Sequence, residues 1–437
     1  MFAERESERV GEWESGRETA DRVCFSAAGN EAFRKKARLK LLLYSHFFAP
    51  SVGGVESSFL SLASGLSQMR NSGGGPEFQV TVATQTAAGQ LDDTTLAFRV
   101  VRCPDSAELR RLIREADVIH IAGPALAPMF WSWWAGKPFV IEHHGYQAIC
   151  PNGLLLIQPE LQVCPGHFQA RRYGKCLRCN AKGRWNGASF LALLRTFPRR
   201  WLSRRATANV AISAHVMRRH GFPRSSTCYY GIEDPLNGAA AEALFTITGE
   251  VPCFAYVGRL VPEKGPQILP PVARRLRDEG FRFHLRYVGD GPERNRLETA
   301  VRAQDLADIV EFTGFLRGAA LAKCLNSVHV VVMPSICEET AGLAPIEQMM
   351  MGRLVIVSNI GGLGEVVGDA GLKFEPGSAE GLADCMRQVL RKPGIVGEIG
   401  GRARARALRL FQRQRMLEEH AQLYEEALRS GQSRVGR

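Results

Sequence analysis

Two glutamates eight positions apart, Glu339 and Glu347, are the side chains whose spacing first suggests chemistry. They lie in PSICEETAGLAPIEQMMMG, where we predict that a strand ends at Pro334 and a helix begins near Leu343. Open α/β sheets bind ligands at the carboxyl ends of strands, so both carboxylates could accept hydrogen bonds from sugar hydroxyls. The backbone N–H groups of Gly342 and Leu343 would face a phosphate at the helix N-terminus. Taken alone, the glutamate pair is more typical of exposed structural carboxylates.

A basic pair occupies a second loop of the same half of the chain. Arg259 and Lys264 follow the strand pattern FAYVG and precede a helix, so they should project at the same sheet edge as Glu339. Fixed Arg and Lys donors can stabilise the charge that develops on a departing diphosphate without a divalent ion. The chain contains no Asp-x-Asp pair to hold a catalytic metal. We therefore expect chemistry that needs no catalytic metal.

Four cysteines form a separate candidate site. Cys150, Cys164, Cys176 and Cys179 lie in a loop-like segment, and the last two form a CxxC pair. Four thiolates so close in sequence suit a tetrahedral structural zinc ion, and His167 could replace one ligand. An iron–sulfur cluster, a redox pair and unliganded thiols remain alternatives.

The elements that must position these residues follow an alternating pattern. Each half of the chain begins with an apolar strand (LKLLLYS and CFAYVG) that leads through a glycine-containing loop into a helix. Strands and helices then alternate, which predicts an α/β fold with two Rossmann-like domains that face each other across a cleft. We expect a disordered extension over 1–37, an N-terminal Rossmann-like domain over 38–235, a C-terminal Rossmann-like domain over 236–410, and a helix over 411–437 that packs back on the first domain.

Composition limits the class and location of the protein. The chain has 437 residues, 45% of them hydrophobic, and no apolar run long enough to span a bilayer. Its first 37 residues are charged and lack the apolar core of a signal peptide. Its eleven cysteines then favour a reducing compartment. We expect a cytoplasmic protein.

Positive charge is concentrated in one segment. Residues 161–232 contain fourteen Lys or Arg and no Asp or Glu, against a net charge of +12 for the whole chain. Such a segment favours an anionic partner, either phospholipid headgroups, a pyrophosphate-linked acceptor or nucleic acid, although a solvated basic face is also common. Within it, residues 189–208 interleave arginines with apolar side chains, as an interfacial helix on the inner face of a membrane would. Pro198 argues against one continuous helix.

The ordered motifs together resemble the retaining glycosyltransferases of family 4, whose two Rossmann-like domains form the GT-B arrangement. The resemblance runs from about Leu39 to Tyr424. Its motifs, in chain order, are GGVE, EHHG, ISAH, YGIE, GRLVPEKG, GDGPE, the segment from Glu339 to Glu347, and GGLGE.

The resemblance implies roles for individual residues. Arg259 and Lys264 match the pair that holds the donor diphosphate, Glu347 the carboxylate that binds the ribose, and Glu339 the one that contacts the transferred sugar. Two residues of the N-terminal domain also match positions at the reaction centre. Gly54 matches a glycine that lies close to the donor phosphates, and His144 matches a histidine that reaches the sugar.

The activity so implied is a transfer (EC 2.4) from a nucleotide-diphosphate sugar to a glycan or lipid-linked acceptor, with retention of anomeric configuration. A nucleotide-sugar epimerase of the same architecture is an alternative, although the Glu339 to Glu347 motif favours transfer. A basic nucleic-acid-binding protein is the non-enzyme alternative, but no nucleic-acid-reading motif accompanies the basic segment. A dinucleotide-dependent oxidoreductase is disfavoured, because neither half has Gly-x-Gly-x-x-Gly after its first strand.

Overall fold

The computed structural model describes residues 38–51, 53–71, 73–89, 91–158, 160–180, 187–237 and 251–435. The extension over 1–37, expected to be disordered, lies outside these residues. The linker between the two halves, which the Pro, Asn and Gly residues of 234–244 predict, is described only as far as residue 237.

The N-terminal half consists of a parallel sheet and the helices that cover it. Its elements are β1 (Leu39–Ser45), α1 (Gly54–Gln68), β2 (Phe78–Thr84), β3 (Arg99–Arg102), α2 (Ser106–Glu115), β4 (Val118–Ala122), α3 (Leu126–Trp134), β5 (Phe139–His143), β6 (Leu156–Ile157), β7 (Gln162–Val163), α4 (Tyr173–Asn180), α5 (Gly187–Arg205), β8 (Ala208–Ala211), α6 (Ala214–His220) and β9 (Ser225–Thr227). Seven strands lie in the order β3-β2-β1-β4-β5-β8-β9, and β6 pairs with β7 in a separate antiparallel hairpin.

The C-terminal half repeats this architecture. Its elements are β10 (Cys253–Val257), α7 (Leu269–Asp278), β11 (His284–Val288), α8 (Arg294–Ala303), β12 (Val310–Gly314), α9 (Gly318–Leu325), β13 (Val330–Met333), α10 (Leu343–Met350), β14 (Leu354–Ser358), α11 (Gly361–Val367), β15 (Leu372–Phe374), α12 (Ala379–Arg391), α13 (Ile395–Leu410) and α14 (Arg413–Val435). Six parallel strands lie in the order β12-β11-β10-β13-β14-β15.

Both sheets are buried on their two faces. The central strands β13 and β14 read VVVM and LVIVS, and all their residues are buried. Continuous β-branched runs of this kind are typical of parallel strands that are covered by helices on both sides. Their burial holds the strand ends, and thus the loops that follow them, in fixed positions.

The strand order determines where a ligand can bind. In each sheet the first strand of the half lies between the second and the fourth, so the chain changes direction beside it. The crevice at such a switch point, at the carboxyl ends of the strands, is the usual ligand site of open α/β sheets. In the C-terminal half this crevice lies between the loops that follow β10 and β13.

The last helix returns to the N-terminal half. After α13 the chain crosses back at Phe411, and α14 packs on α1, β4 and β5. The Ile232 N–H donates to the Phe411 carbonyl at 2.8 Å, and the Arg413 N–H donates to the Ile232 carbonyl at 2.9 Å. The predicted fold class, two Rossmann-like units with a returning C-terminal helix, is confirmed.

The prediction that Pro198 would interrupt the basic segment is wrong. The α5 helix runs continuously over its 19 residues with Pro198 inside. Proline removes one N–H from the helix ladder, which leaves the Leu194 carbonyl without its usual donor. Leu194 is exposed, so water can satisfy that carbonyl at little cost.

Candidate active site

Two loops at the carboxyl ends of neighbouring strands form the candidate donor site. Lys264 lies in the loop after β10, and Glu339 lies in the loop after β13. The Lys264 ammonium is paired with Oε1 of Glu339, which also accepts a hydrogen bond from Ser335 Oγ at 2.7 Å. The structure therefore brings two predicted site residues into direct contact.

A glycine permits the close approach of the two loops. Gly265 has a φ of 70°, and a Cβ there would lie 1.9 Å from the Pro334 carbonyl oxygen. The Ile336 N–H donates to the Glu263 carbonyl at 3.0 Å across the same junction. Any side chain at position 265 would push the loops apart, so Gly265 sets the geometry of the ion pair.

The ion pair is partly shielded from water. The Glu339 side chain is 10% exposed and the Lys264 side chain 25%. Burial lowers the pKa of Lys264, but the Glu339 carboxylate more than offsets this and the pKa is raised. Lys264 is therefore a permanent cation that could donate to a phosphate oxygen.

The start of α11 packs directly against the loop that carries Glu339. Gly361 has a φ of 59°, and a Cβ there would lie 2.5 Å from the Glu339 carbonyl oxygen. A Cβ at Gly362 would lie 2.3 Å from the Thr340 carbonyl oxygen, and the Gly362 N–H donates to Glu339 at 2.6 Å. The glycines of the GGLGE motif thus allow backbone to pack directly on backbone beneath Glu339.

Helix α10 presents the second glutamate. Glu347 is solvent-exposed, yet the surrounding protein partly desolvates it and raises its pKa to about 7. Gly342 precedes the helix with a φ of 89°, where a Cβ would lie 2.9 Å from Leu363. This conformation leaves the first turn of α10, at Leu343, beside the crevice.

The N-terminal half approaches the same helix end. A Cβ on Gly54 would lie 3.8 Å from Leu343, so the first turns of α1 and α10 are neighbours across the cleft. That distance is an ordinary van der Waals contact, and protein atoms alone do not exclude a side chain at Gly54. Arg259 follows β10 and is exposed, with its guanidinium available to a ligand.

His144 is held by a buried carboxylate. It follows β5 directly, and its Nε2 lies 3.2 Å from Oε2 of Glu142, while its Nδ1 hydrogen bonds with the Tyr230 hydroxyl at 2.9 Å. An ionised carboxylate only accepts, which favours the proton on Nε2 and leaves Nδ1 to accept from Tyr230. The contact with Glu142 and the hydrogen bond with Tyr230 together hold the ring at the mouth of the N-terminal sheet.

Glu142 is the centre of a larger buried network. His120 Nε2 lies 3.1 Å from Glu142, His120 Nδ1 lies 2.7 Å from the Tyr424 hydroxyl, and His420 Nε2 lies 3.7 Å from the other Glu142 oxygen. Burial alone would raise the pKa of Glu142, but His144 and the other two histidines hold it well below its usual range. This network ties the returning helix α14 to the residue beside His144.

Polar contacts across the cleft join the two halves. Ser213 Oγ donates to the Thr340 carbonyl at 2.5 Å, beside Glu339. The Glu365 carboxylate accepts from the backbone N–H groups of Ala214 and His215, both at 2.7 Å, at the start of α6. A carboxylate at a helix N-terminus is stabilised by the unpaired N–H groups there.

Sequence reasoning missed several residues of this site. Glu142 was quoted only as part of EHHG, although a glutamate within an otherwise apolar strand is a signal of a paired buried charge. Glu365 belongs to the GGLGE motif, but its partners at the start of α6 lie 150 and 151 residues away in the sequence, so no local pattern could have identified this contact.

The structure brings the four candidate zinc ligands into one segment without closing a metal site around them. Three of them, Cys150, Cys164 and Cys176, are buried, and all four are free thiols. The potential metal ligands that do lie within 4.8 Å of one another in the described residues are different ones. They are His120, Glu142 and His420 of the buried network.

Part of the C-terminal half is similar to a known protein family. Residues 251–392 match the family model for Glycosyl transferases group 1, so the C-terminal half carries such a domain. The chain is 36% identical over 147 residues to a 2-deoxystreptamine glucosyltransferase of Streptomyces kanamyceticus, covering 33% of this chain and 38% of that relative. The chain thus spans well under half the length of that curated relative.

The fold of the whole described chain is that of GT-B proteins. The crystal structure of Anabaena HepE with UDP-glucose covers 89% of this chain and 100% of its own, with a TM-score of 0.65 at 19% identity. Sucrose-phosphate synthase from Thermosynechococcus elongatus covers 89% and 99%, with a TM-score of 0.65 at 20% identity. Within the described part of the chain, no helix has both the length and the apolar character needed to cross a bilayer.

Proposed function

We propose that this protein transfers a sugar from a nucleotide-diphosphate sugar to a hydroxyl acceptor, with retention of anomeric configuration and without a catalytic metal. The observation that carries this proposal is the contact between Lys264 and Glu339 at the switch point of the C-terminal sheet. It lies within the segment that matches the glycosyl transferase family model.

The chemistry assigns a task to each side chain of the crevice. Lys264 and Arg259 would bind the diphosphate and stabilise its growing charge as the sugar–oxygen bond breaks. Glu347 would accept hydrogen bonds from the ribose, and Glu339 from a hydroxyl of the transferred sugar. The acceptor oxygen bonds to the anomeric carbon on the face that the phosphate leaves, and the acceptor proton passes to a phosphate oxygen.

His144 would position the sugar and does not serve as the base. Its two ring nitrogens are already engaged by Glu142 and Tyr230. The departing phosphate oxygen, being close to the acceptor and increasingly negative, is the more suitable proton acceptor. This assignment supports transfer on one face of the sugar.

Ligand-dependent unfolding tests the donor proposal. The purified chain is heated with UDP-, GDP- and ADP-sugars in buffer without added divalent metal ions, with UDP-glucose first because HepE was crystallised with it. A donor at 100 times its dissociation constant should stabilise the fold by about 2.7 kcal/mol. Absence of stabilisation by every donor, or a strict need for Mg²⁺ or Mn²⁺, would contradict the proposal.

Product analysis separates transfer from the alternatives. With a donor and glycan or lipid-linked hydroxyl acceptors, NMR of the product should show the anomeric configuration of the donor. Inversion would rule out the retaining mechanism. An epimerised donor formed without acceptor would instead identify an epimerase.

The exposed face of α5 favours an acceptor that is carried at an anionic membrane. Phe190, Leu194, Phe197 and Trp201 are all exposed and recur at helical spacing along α5. The helix is rich in arginine, and the Arg205 guanidinium lies 5.2 Å from the Trp201 ring centroid. Exposed aromatic and aliphatic side chains beside cations suit an interfacial helix on anionic lipid.

Vesicle binding tests this surface. Phosphatidylglycerol vesicles should sediment the protein and phosphatidylcholine vesicles should not, and Phe190→Ser with Leu194→Ser should weaken binding several-fold. The matched control is Phe315→Ser, an exposed aromatic in the C-terminal half. Equal binding to both vesicle types, or salt-sensitive binding to RNA or DNA in place of lipid, would overturn the membrane assignment.

A further inference from the structure

Two of the four candidate cysteines bind the same amide. The Cys150 Sγ donates to Asn152 Oδ1 at 3.0 Å, and the Asn152 Nδ2 donates to the Cys179 Sγ at 3.2 Å. The Cys150 and Cys179 thiols, which come from the two ends of the segment, are therefore separated only by the Asn152 amide group. Nothing in the donor site requires this convergence.

The other two thiols lie close to the same pair. The Cys164 N–H donates to the Leu155 carbonyl at 2.6 Å, which draws Cys164 toward the stretch that follows Cys150. Cys176 and Cys179 lie three residues apart on the helix α4, so their side chains project from the same side of it.

A histidine next to the cysteines has an unsatisfied nitrogen. His167 is 7% exposed, and its backbone N–H donates to the Cys164 Sγ at 3.5 Å. Its Nδ1 is buried and has no hydrogen-bond partner among the described residues. Buried polar atoms are nearly always paired, so an orphaned nitrogen beside a thiol cluster points to a missing partner.

The part of the segment around α4 has only a small core of its own. Its regular structure is the two-residue strands β6 and β7 and the short helix α4. Cys150, Leu155 and Cys164 pack into the large core that includes residues of both halves, whereas the apolar cluster around α4 has Phe168, Cys176 and Leu193 as its buried residues. A disulfide or a metal is a common means of fixing a unit with so little core.

We propose that Cys150, Cys164, Cys176 and Cys179 bind one structural zinc ion. Four thiolates complete the tetrahedral set that zinc prefers, and His167 is the alternative to Cys179, the least buried of the four. Binding releases the thiol protons and leaves a doubly negative centre. Basic side chains of the segment, including Arg172 and Lys175 near His167, offset that charge, and Glu160 is the one acidic residue between Cys150 and Cys179.

Metal binding would complete the fold of the segment. In the described residues, no three of the four cysteine Sγ atoms lie within 4.8 Å of one another. Zinc binding would therefore draw the thiols closer together. Such coupling between metal binding and local folding is usual for structural zinc.

The zinc segment would brace the donor site from the N-terminal half. Arg219 donates to the Cys164 carbonyl at 2.7 Å and to the Glu338 carboxylate at 2.8 Å. Glu338 is adjacent to Glu339, so one arginine joins the cysteine segment to the donor loop. A fixed cysteine segment therefore fixes one wall of the cleft.

Metal content of the full-length protein tests the proposal without any activity assay. Protein purified without chelator should contain close to one equivalent of zinc, and Cys176→Ser and Cys179→Ser should reduce it to near background. Cys103→Ser and Cys385→Ser, which lie outside the segment, are matched controls that should retain the metal. His167→Ala should retain zinc, because the four cysteines complete the ligand set.

A second measurement covers variants that fail to fold. Wild-type protein stripped of zinc and loaded with Co²⁺ should show the thiolate-to-cobalt charge-transfer bands and the visible bands of a tetrahedral site. Wild-type protein that neither contains nor takes up zinc would overturn the proposal. A Cys176–Cys179 disulfide in non-reducing peptide maps, or iron with acid-labile sulfide, would do the same.

Discussion

The Nε2 atom of His144 lies 3.2 Å from the Oε2 atom of Glu142, a carboxylate that is 4% exposed. This pairing joins a residue at the mouth of the cleft to the interior of the N-terminal sheet. Because Glu142 also contacts His420 on α14, the orientation of His144 depends on the last helix of the chain.

Glu142→Gln should impair both turnover and stability. The substitution leaves the histidines without their buried counter-charge, which typically costs about 3–5 kcal/mol of unfolding free energy. The pKa of Glu142 is below its usual value in the folded state, so its stabilisation is complete above pH 4.5 and is lost as pH falls through the folded pKa. Denaturant unfolding should therefore show the largest difference from wild type at neutral pH and a shrinking difference in acid. A constant difference across that range would contradict the ionised network.

Lys264→Ala should abolish most transfer while leaving the fold intact. Removal of a charge-stabilising donor at a reaction centre typically lowers kcat by about 10²- to 10³-fold. Lys264→Arg should retain part of the activity, because it keeps the charge. The matched control is Lys323→Ala, an exposed lysine of α9 in the same half. Near-normal turnover of Lys264→Ala, with circular dichroism unchanged, would refute the site.

Glu339→Gln tests the other half of the ion pair. It removes the acceptor proposed for a sugar hydroxyl and leaves Lys264 without its carboxylate. We expect a fall in kcat of about a hundredfold or more, as for other groups that act mainly in the transition state. Steady-state kinetics with saturating donor should show the loss in kcat more than in KM. A change in KM alone would indicate ground-state binding only.

Donor affinity should depend on the ionisation of Glu347. Its pKa is raised to about 7, and the hydrogen bonds proposed from the ribose hydroxyls would be strongest to the ionised carboxylate. Affinity should therefore weaken as pH falls through about 7, where the protonated form replaces the carboxylate. Calorimetric titration between pH 5.5 and 8.5, in steps of about half a unit, would measure this. Glu347→Gln should bind more weakly at pH 8 and lose most of the dependence.

Gly265→Ala should cost more stability than another glycine of the same conformation. Both Gly265 and Gly377 have a positive φ, but a Cβ at Gly377 meets nothing within 4 Å. Gly377→Ala should therefore cost only the left-handed strain of about 1–2 kcal/mol. Gly265→Ala adds the clash with Pro334 and should also weaken donor binding. Equal melting temperatures of the two variants would show that the loop junction adapts.

The sequence predicted the fold well because the patterns that determine the fold are local in the sequence. Apolar strands, glycine loops and helical periodicity recur in both halves, and the parallel order follows from the alternation. The placement of Lys264 and Glu339 at one sheet edge also followed from strand ends. Their contact did not, because it depends on β10 and β13 being neighbours in the sheet.

The contacts that the sequence could not reveal are long-range ones. Glu142, His120 and His420 belong to different elements, and only packing of α14 on β4 and β5 brings them together. Pro198 argued against one continuous helix because local rules penalise an internal proline, yet α5 continues through it.

The paired crossings at Ile232 and Phe411 restrict how the two halves can move. Gly231 is packed so closely at this crossing that a Cβ there would lie 2.6 Å from Met416. This packing and the two backbone hydrogen bonds fix the start of α14 against the end of the N-terminal half. A relative movement of the two halves would have to preserve this junction and break the contacts that Glu365 and Arg219 make across the cleft.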